Sequence, residues 1–255
     1  PKERQYQARL MEVYAAMAES MDHEVGRLIA HLKSTGQFEN TVFIFLSDNG
    51  PEGSDYREAD LWLRFNYSRD LERLGGKGGY AIPGPSWASA SASPLDTFKF
   101  YAGEGGLRSP LIISGMSGMA RNRIHAGLTH VTDIVPTLLE LAGLERPGTH
   151  FRGQPIETPT GHSLVPALKD PAARIRAPDE PLGYELAGNK ALFKGDLKIT
   201  LNLPPIGDGQ WRLYDLRTDP GETRDLQLQR PREFAAMRAD YDAWATANGV
   251  LPMPE

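Results

Sequence analysis

The residues best placed to do chemistry are Asp48 and Asn49. They follow the apolar run Thr41-Val42-Phe43-Ile44-Phe45-Leu46 and lie inside Ser47-Asp48-Asn49-Gly50. A carboxylate beside an amide oxygen offers two hard oxygen donors, which suit Ca²⁺ or Mg²⁺ rather than a thiophilic metal. The same residue types also start turns and cap helices, so the pair alone leaves that reading open. One Asp–Asn pair cannot complete a divalent cation site, so further ligands must come from elsewhere. A second candidate is Lys99, within Thr97-Phe98-Lys99-Phe100-Tyr101. A lysine between aromatics is either a snorkelling surface residue or a point-charge clamp on an anion. Arg108 suits a structural pair at a strand entry. His125, His130, His150 and His162 have no ligand-like spacing and read as ordinary histidines.

Several other chemistries are excluded within this stretch. There is no cysteine among the 255 residues, hence no disulfide, thiolate zinc site or cysteine nucleophile. Gly75-Gly76-Lys77-Gly78-Gly79 has neither the spacing nor the hydroxyl of a P-loop. A net charge of -5 offers no basic footprint for nucleic acid. No apolar run approaches the ~18 residues that span a bilayer. At 40% hydrophobic and 24% charged residues, the composition is that of a globular chain and not of a disordered one.

The elements that must position these residues follow from periodicity. Residues 7–35 carry Leu10, Val13, Tyr14, Met17, Met21, Val25, Leu28, Ile29 and Leu32 at spacings of three and four, which predicts a long amphipathic helix with its apolar stripe in a core. Gly36 suits its C-terminal cap. Thr41–Leu46 is continuous rather than alternating, which predicts a strand buried on both faces of a parallel sheet. Its carboxyl end is where such sheets place ligands. Residues 51–98 show no sustained period beyond a short helix within 61–74, and a connection this long is usually functional or mobile. Leu111-Ile112-Ile113 is a second buried-strand candidate. Thr132–Leu141 reads as a helix stopped by Gly143, and a short helical piece falls at 164–168. Residues 182–217 alternate short strands with Gly and Asn turns, which predicts a small antiparallel sheet. Pro231 opens a last helix to 247.

Taken in series, these segments resemble a known family. Tyr14–Gly26 followed by Asn40–Gly50 is similar to the helix–strand–Ser-Asp-Asn-Gly segment of the type I sulfatases, within the alkaline phosphatase superfamily. The likeness continues in Glu104-Gly105-Gly106-Leu107-Arg108-Ser109-Pro110 and in Thr132–Leu139 with Leu141-Ala142-Gly143. It ends in Leu213-Tyr214-Asp215-Leu216 with Asp219-Pro220-Gly221-Glu222. The stretch with Tyr80 and Pro85-Ser86-Trp87-Ala88 leading to Lys99 also resembles bacterial arylsulfatases.

The resemblance implies an α/β fold with a mixed, largely parallel sheet flanked by helices. It places the C-terminal part of the catalytic domain at 1–180 and a small subdomain of antiparallel sheet plus helix at 181–255. It implies hydrolysis of a small-molecule sulfate ester by a formylglycine nucleophile, with Ca²⁺ (or Mg²⁺) orienting the sulfate. Asp48 would bind the metal and activate the nucleophile, and Asn49 would bind the metal. Lys99 would contact a sulfate oxygen and assist the leaving group. Tyr80 and Trp87 would wall an apolar or aromatic leaving group.

The family's nucleophile motif, paired-Asp metal motif and Lys-x-His pair are absent here. The chain, which opens Pro1-Lys2-Glu3-Arg4 with no initiator Met, is therefore expected to be a C-terminal portion whose partner is the N-terminal part of the same polypeptide. Alone it is expected to be inactive. Phosphate or phosphonate ester hydrolysis, and a non-catalytic module on the same scaffold, are the competing readings. The compartment stays open between bacterial cytoplasm and periplasm.

Overall fold

The computed structural model describes residues 2–54, 60–115, 118–120 and 122–251. Part of the long connection expected at 51–98, residues 55–59, lies outside the described residues. The helices are α1 (Lys2–Ser34), α2 (Leu61–Asn66), α3 (Gly84–Ala92), α4 (Glu104–Leu107), α5 (Ile134–Leu141), α6 (Val165–Lys169) and α7 (Pro231–Ala247). The strands are β1 (Phe43–Leu46), β2 (Leu111–Ser114), β3 (His150–Phe151), β4 (Gln154–Pro155), β5 (Pro181–Leu186), β6 (Asn189–Lys194), β7 (Leu197–Leu201) and β8 (Trp211–Asp215). None of the described helices is long and apolar enough to cross a membrane.

The chain divides into two compact units, one of residues 1–39, 45–111 and 181–255, the other of residues 40–44 and 112–180. The first is anchored by the antiparallel sheet β5-β6-β7-β8. Strand alternation sends Leu192, Ile199 and Leu213 to one face, where they meet Met237 and Tyr241 of α7 in a closed core. Phe193, Lys198 and Tyr214, aligned across β6, β7 and β8, belong to the opposite face. That face is covered as well, for all three are buried. The expected antiparallel sheet and terminal helix are thus present.

In the second unit Asp133 is the organising residue. Its carboxylate accepts the backbone N–H of His130 at 2.7 Å and of His162 at 2.8 Å, and receives both terminal nitrogens of Arg176 at 2.8 and 2.6 Å. Thr137 bonds the Asp133 carbonyl at 2.6 Å and accepts the Leu164 N–H at 2.8 Å, which joins α5 to the start of α6. Burial pushes the Asp133 carboxyl up, but the Arg176 guanidinium and the two backbone donors outweigh it and hold it below the ordinary range. The four histidines given an ordinary reading include His130 and His162, whose backbones serve this hub.

Two expectations are corrected. Helix α1 forms, and Gly36 at φ +70 closes it, with Gln37 N–H reaching the Leu32 carbonyl at 2.9 Å. Its stripe, however, is not a core. Leu10 is buried, while Tyr14, Met17, Met21, Val25 and Leu28 are exposed. Contacts to distant segments are made by the first third of α1: Arg9 bonds the Leu74 carbonyl, Trp87 bonds the Gln7 carbonyl, and Val13 touches Gly75. Likewise β1 and β2 form a two-stranded sheet rather than a buried parallel core, and Phe45, Leu46 and Ile112 are exposed. Two four-residue strands cannot cover each other's faces, so the apolar cover these patterns call for is absent among the described residues.

Candidate functional site

Strand β1 delivers Ser47-Asp48-Asn49-Gly50 into a tight meeting with the segment around α4. Ser47 N–H donates to the Pro110 carbonyl at 3.2 Å, and Ser109 Oγ donates to the Ser47 carbonyl at 2.7 Å. Gly50 N–H donates to the Gly106 carbonyl at 2.9 Å. A Cβ on Gly50 would lie 1.9 Å from the Gly105 carbonyl oxygen, so only glycine permits this approach. Within the turn, Ser47 Oγ donates to the Asn49 carbonyl at 2.9 Å, and Asn49 Nδ2 donates to the Gly50 carbonyl at 2.9 Å. The Asn49 amide is thereby oriented through its nitrogen, which leaves Oδ1 without a partner among the described residues. Asp48 is exposed, and its carboxylate pairs with no described residue. Two hard oxygens are thus presented side by side, uncommitted.

A turn near α4 brings up Lys99. Its backbone N–H donates to the Pro51 carbonyl at 3.0 Å, and its ammonium lies 2.8 Å from Glu52 Oε2. Burial pushes the Glu52 carboxyl up, yet Lys99 and the Ser54 bonds together hold it below its ordinary value. Lys99 is flanked by Thr97 at φ +62 and Phe100 at φ +87. Two non-glycine residues in the left-handed region, one of them β-branched, mark a strained segment held by its surroundings. Part of that hold is visible: Phe98 and Tyr101 pack with Ala88, and the Phe98 ring lies where a Gly53 side chain would be.

Asp48, Asn49 and Lys99 therefore share one loop cluster, 47–54 laced to 97–110. Tyr80 and Trp87 are held elsewhere in the same unit. The Tyr80 ring stands 5.5 Å from Tyr67, which in turn meets Trp62 at 5.7 Å. The Trp87 indole N–H donates to the Gln7 carbonyl of α1 at 3.0 Å. Arg108 makes the structural pair expected of it, 2.7 Å from Glu104 Oε2. Helix α3, which carries Trp87, falls in the part of 51–98 where the sequence shows no sustained period. Pro85 sits in its first turn, where the missing N–H costs nothing.

As a metal site the donor set is incomplete but of the right kind. No group of three or more His, Cys, Asp or Glu side chains that could hold a metal ion occurs among the described residues. Asp48 and Asn49 supply two adjacent oxygens, one anionic, which fits a hard divalent cation completed by ligands from outside. Beside a lysine, such a pair is suited to an oxyanion such as a sulfate or phosphate ester.

Comparison with known proteins places the chain in a family. The sulfatase family model matches residues 1–144, and the chain belongs to the sulfatases. An uncharacterized sulfatase of Schizosaccharomyces pombe is 33% identical over 260 residues, covering 100% of this chain and 46% of the relative. An arylsulfatase of Klebsiella aerogenes is 36% identical over 169 residues, covering 64% of this chain and 36% of the relative. Among solved structures, Ps i-CgsB superposes with a TM-score of 0.63 at 21% identity, over 91% of this chain and 42% of that one. Membership in the sulfatase family is consistent with the alkaline phosphatase superfamily. The chain spans about half or less of the length of the curated relatives it matches.

Proposed function

We propose that this chain forms the C-terminal part of an arylsulfatase-type sulfuric ester hydrolase. The observation that carries the reading is the pair of uncommitted oxygens on Asp48 and Asn49, in the loop whose Pro51 carbonyl accepts the Lys99 backbone N–H. Asp48 and Asn49 hold a divalent cation, Ca²⁺ or in its place Mg²⁺, with the remaining ligands supplied by the rest of the polypeptide. When bound, the cation offsets negative charge on the oxygens of the sulfate. The nucleophile, the hydrated aldehyde of a formylglycine, would be supplied from outside these residues, and Asp48 would accept the proton of one of its hydroxyls. Lys99 places its ammonium on a sulfate oxygen and steadies the charge that develops on the leaving group. Glu52 holds that ammonium in position.

In this reading residues 1–180 belong to the catalytic domain and 181–255 to a smaller subdomain. The exposed faces of β1 and β2, and the uncovered stripe of α1, are the surfaces against which the remainder of a largely parallel sheet and its helices pack. That remainder is this chain's partner, together with the small-molecule sulfate ester.

The test compares aryl sulfate with aryl phosphate turnover by the full-length polypeptide, before and after chelation, with Asp48→Asn and Lys99→Met alongside. Sulfate turnover that needs Ca²⁺ is expected, with kcat/KM lower by ~100-fold or more in each variant, the scale of losing one group that stabilises transition-state charge. Preferred turnover of phosphate, or an Asp48→Asn enzyme as active as the parent, overturns the reading.

A further inference from the structure

The most deeply buried charges of the first unit lie behind the candidate cation loop. Lys198 of β7 is 0% exposed, Glu104 at the start of α4 is 2% exposed, and Glu222 is 7% exposed. A buried lysine without a counter-charge would be strongly disfavoured, so its partners define what it does. Lys198 Nζ donates to Glu104 Oε1 at 2.9 Å. Glu222 Oε1 lies at the same 2.9 Å distance, as an ion pair without hydrogen-bond geometry. The other oxygen of Glu222 accepts the Glu104 backbone N–H at 2.6 Å, and the other oxygen of Glu104 accepts Arg108 Nε at 2.7 Å. Lys198 and Glu222 thus close on α4 from two other parts of the chain, and its own Glu104 and Arg108 complete a cluster of two cations and two carboxylates.

The same sheet grips the turn segment that leads into α4. Ala102 N–H donates to Asn202 Oδ1 at 2.7 Å, and Asn189 Nδ2 donates to the Phe100 carbonyl at 3.3 Å while its Oδ1 accepts the Leu203 N–H at 2.9 Å. Residues 100–104 are therefore fixed by β6, β7 and the residue after β7. Lys99 immediately precedes them. Gly105 and Gly106, on which Gly50 rests, immediately follow.

We propose that Lys198 is a positioning residue for the candidate cation loop: by clamping Glu104 it sets the seat of α4, and through the Gly106–Gly50 contact it sets where Asp48 and Asn49 present their oxygens. The inference rests on the reading of Asp48 and Asn49 as cation ligands, and it extends that reading to the C-terminal sheet. Lys198 touches neither cation nor ester. Its effect passes through one short helix and one backbone hydrogen bond.

Lys198→Met alone strands two carboxylates in the interior, so the informative variant is Lys198→Met/Glu222→Gln. It removes one charge of each sign and keeps the Arg108–Glu104 pair. Calorimetric titration of the metal-free full-length protein with Ca²⁺, well below the variant's unfolding midpoint, is expected to give a Kd raised about tenfold or more, the usual cost of losing an outer support of a metal site. Aryl sulfate turnover should fall at low Ca²⁺ and recover as Ca²⁺ is raised. A variant that melts earlier yet binds Ca²⁺ within about twofold of the parent makes Lys198 a structural prop only and overturns the inference. Asp48→Asn, titrated in parallel, separates the two layers. If it too leaves Ca²⁺ affinity unchanged, the cation reading falls and this inference falls with it.

Discussion

Two buried acids in this chain meet opposite electrostatic fates. Asp133, in the second unit, faces one arginine in a two-point grip plus two backbone N–H donors, and its carboxyl is held below the ordinary value. Glu222, in the first unit, shares a single lysine with Glu104. Burial pushes its carboxyl up, and the Lys198 ammonium and the Glu104 N–H offset that only in part. The difference teaches that burial alone does not set the charge state. The ratio of cations and donors to carboxylates does. Asp133 is a satisfied hub. The Glu104–Lys198–Glu222 cluster carries residual frustration, and it is the one that sits behind the candidate site.

The sharpest way to break this comparison is Arg176→Met. It leaves Asp133 ionised in the interior with backbone donors alone and is expected to cost about 3–5 kcal/mol in urea unfolding. A loss below about 1 kcal/mol would mean that the backbone donors suffice and that the guanidinium is not what distinguishes the two acids.

The next effect is one of sign. Asp133 has a depressed pKa, so its contribution is fully present above the unfolded value of 3.8 and is lost as pH falls through the folded value. Asp133→Asn should flatten the acid limb of the stability curve. Glu222 has a raised pKa, so the folded state binds its proton more tightly and stability declines as pH rises above 4.5. Glu222→Gln should remove that decline. Unfolding midpoints measured from acid to neutral pH check both, and slopes of the same sign in the two variants would remove the contrast.

The smallest effect is Glu222→Gln at neutral pH. A glutamine oxygen can still accept the Glu104 N–H, and Lys198 keeps Glu104. The change is expected to stay within about 1 kcal/mol of the parent in the same urea assay. A much larger loss would show that Lys198 needs both anions.

Much of this was legible from residue order alone. Helix α7 begins at Pro231 as its sequence predicts, and strands β6 to β8 fall where Gly and Asn turns delimit them. The strand-tip position of Asp48 and Asn49 follows from an apolar run ending in turn formers. Lys198 was not legible. Leu197-Lys198-Ile199-Thr200-Leu201 alternates as a strand with one wet face would, and alternation says only that the two faces differ. It does not say that the polar face meets solvent. Here that face is buried against residues 96–104, ninety-odd positions earlier in the chain. The Asp133–Arg176 pair, 43 residues apart, escaped for the same reason.

The long helix gives the converse. Its stripe from Leu10 to Leu32 has the helical period, and α1 forms as that period dictates, yet most of the stripe remains exposed. Local order determined the elements, the glycine-permitted turns and the identity of the oxygen donors, because backbone preference and side-chain period act over a few residues. Only the tertiary structure decided which apolar face became a core, and which carboxylates share a cation. Those choices depend on contacts between segments far apart in sequence, and no spacing along the chain encodes them.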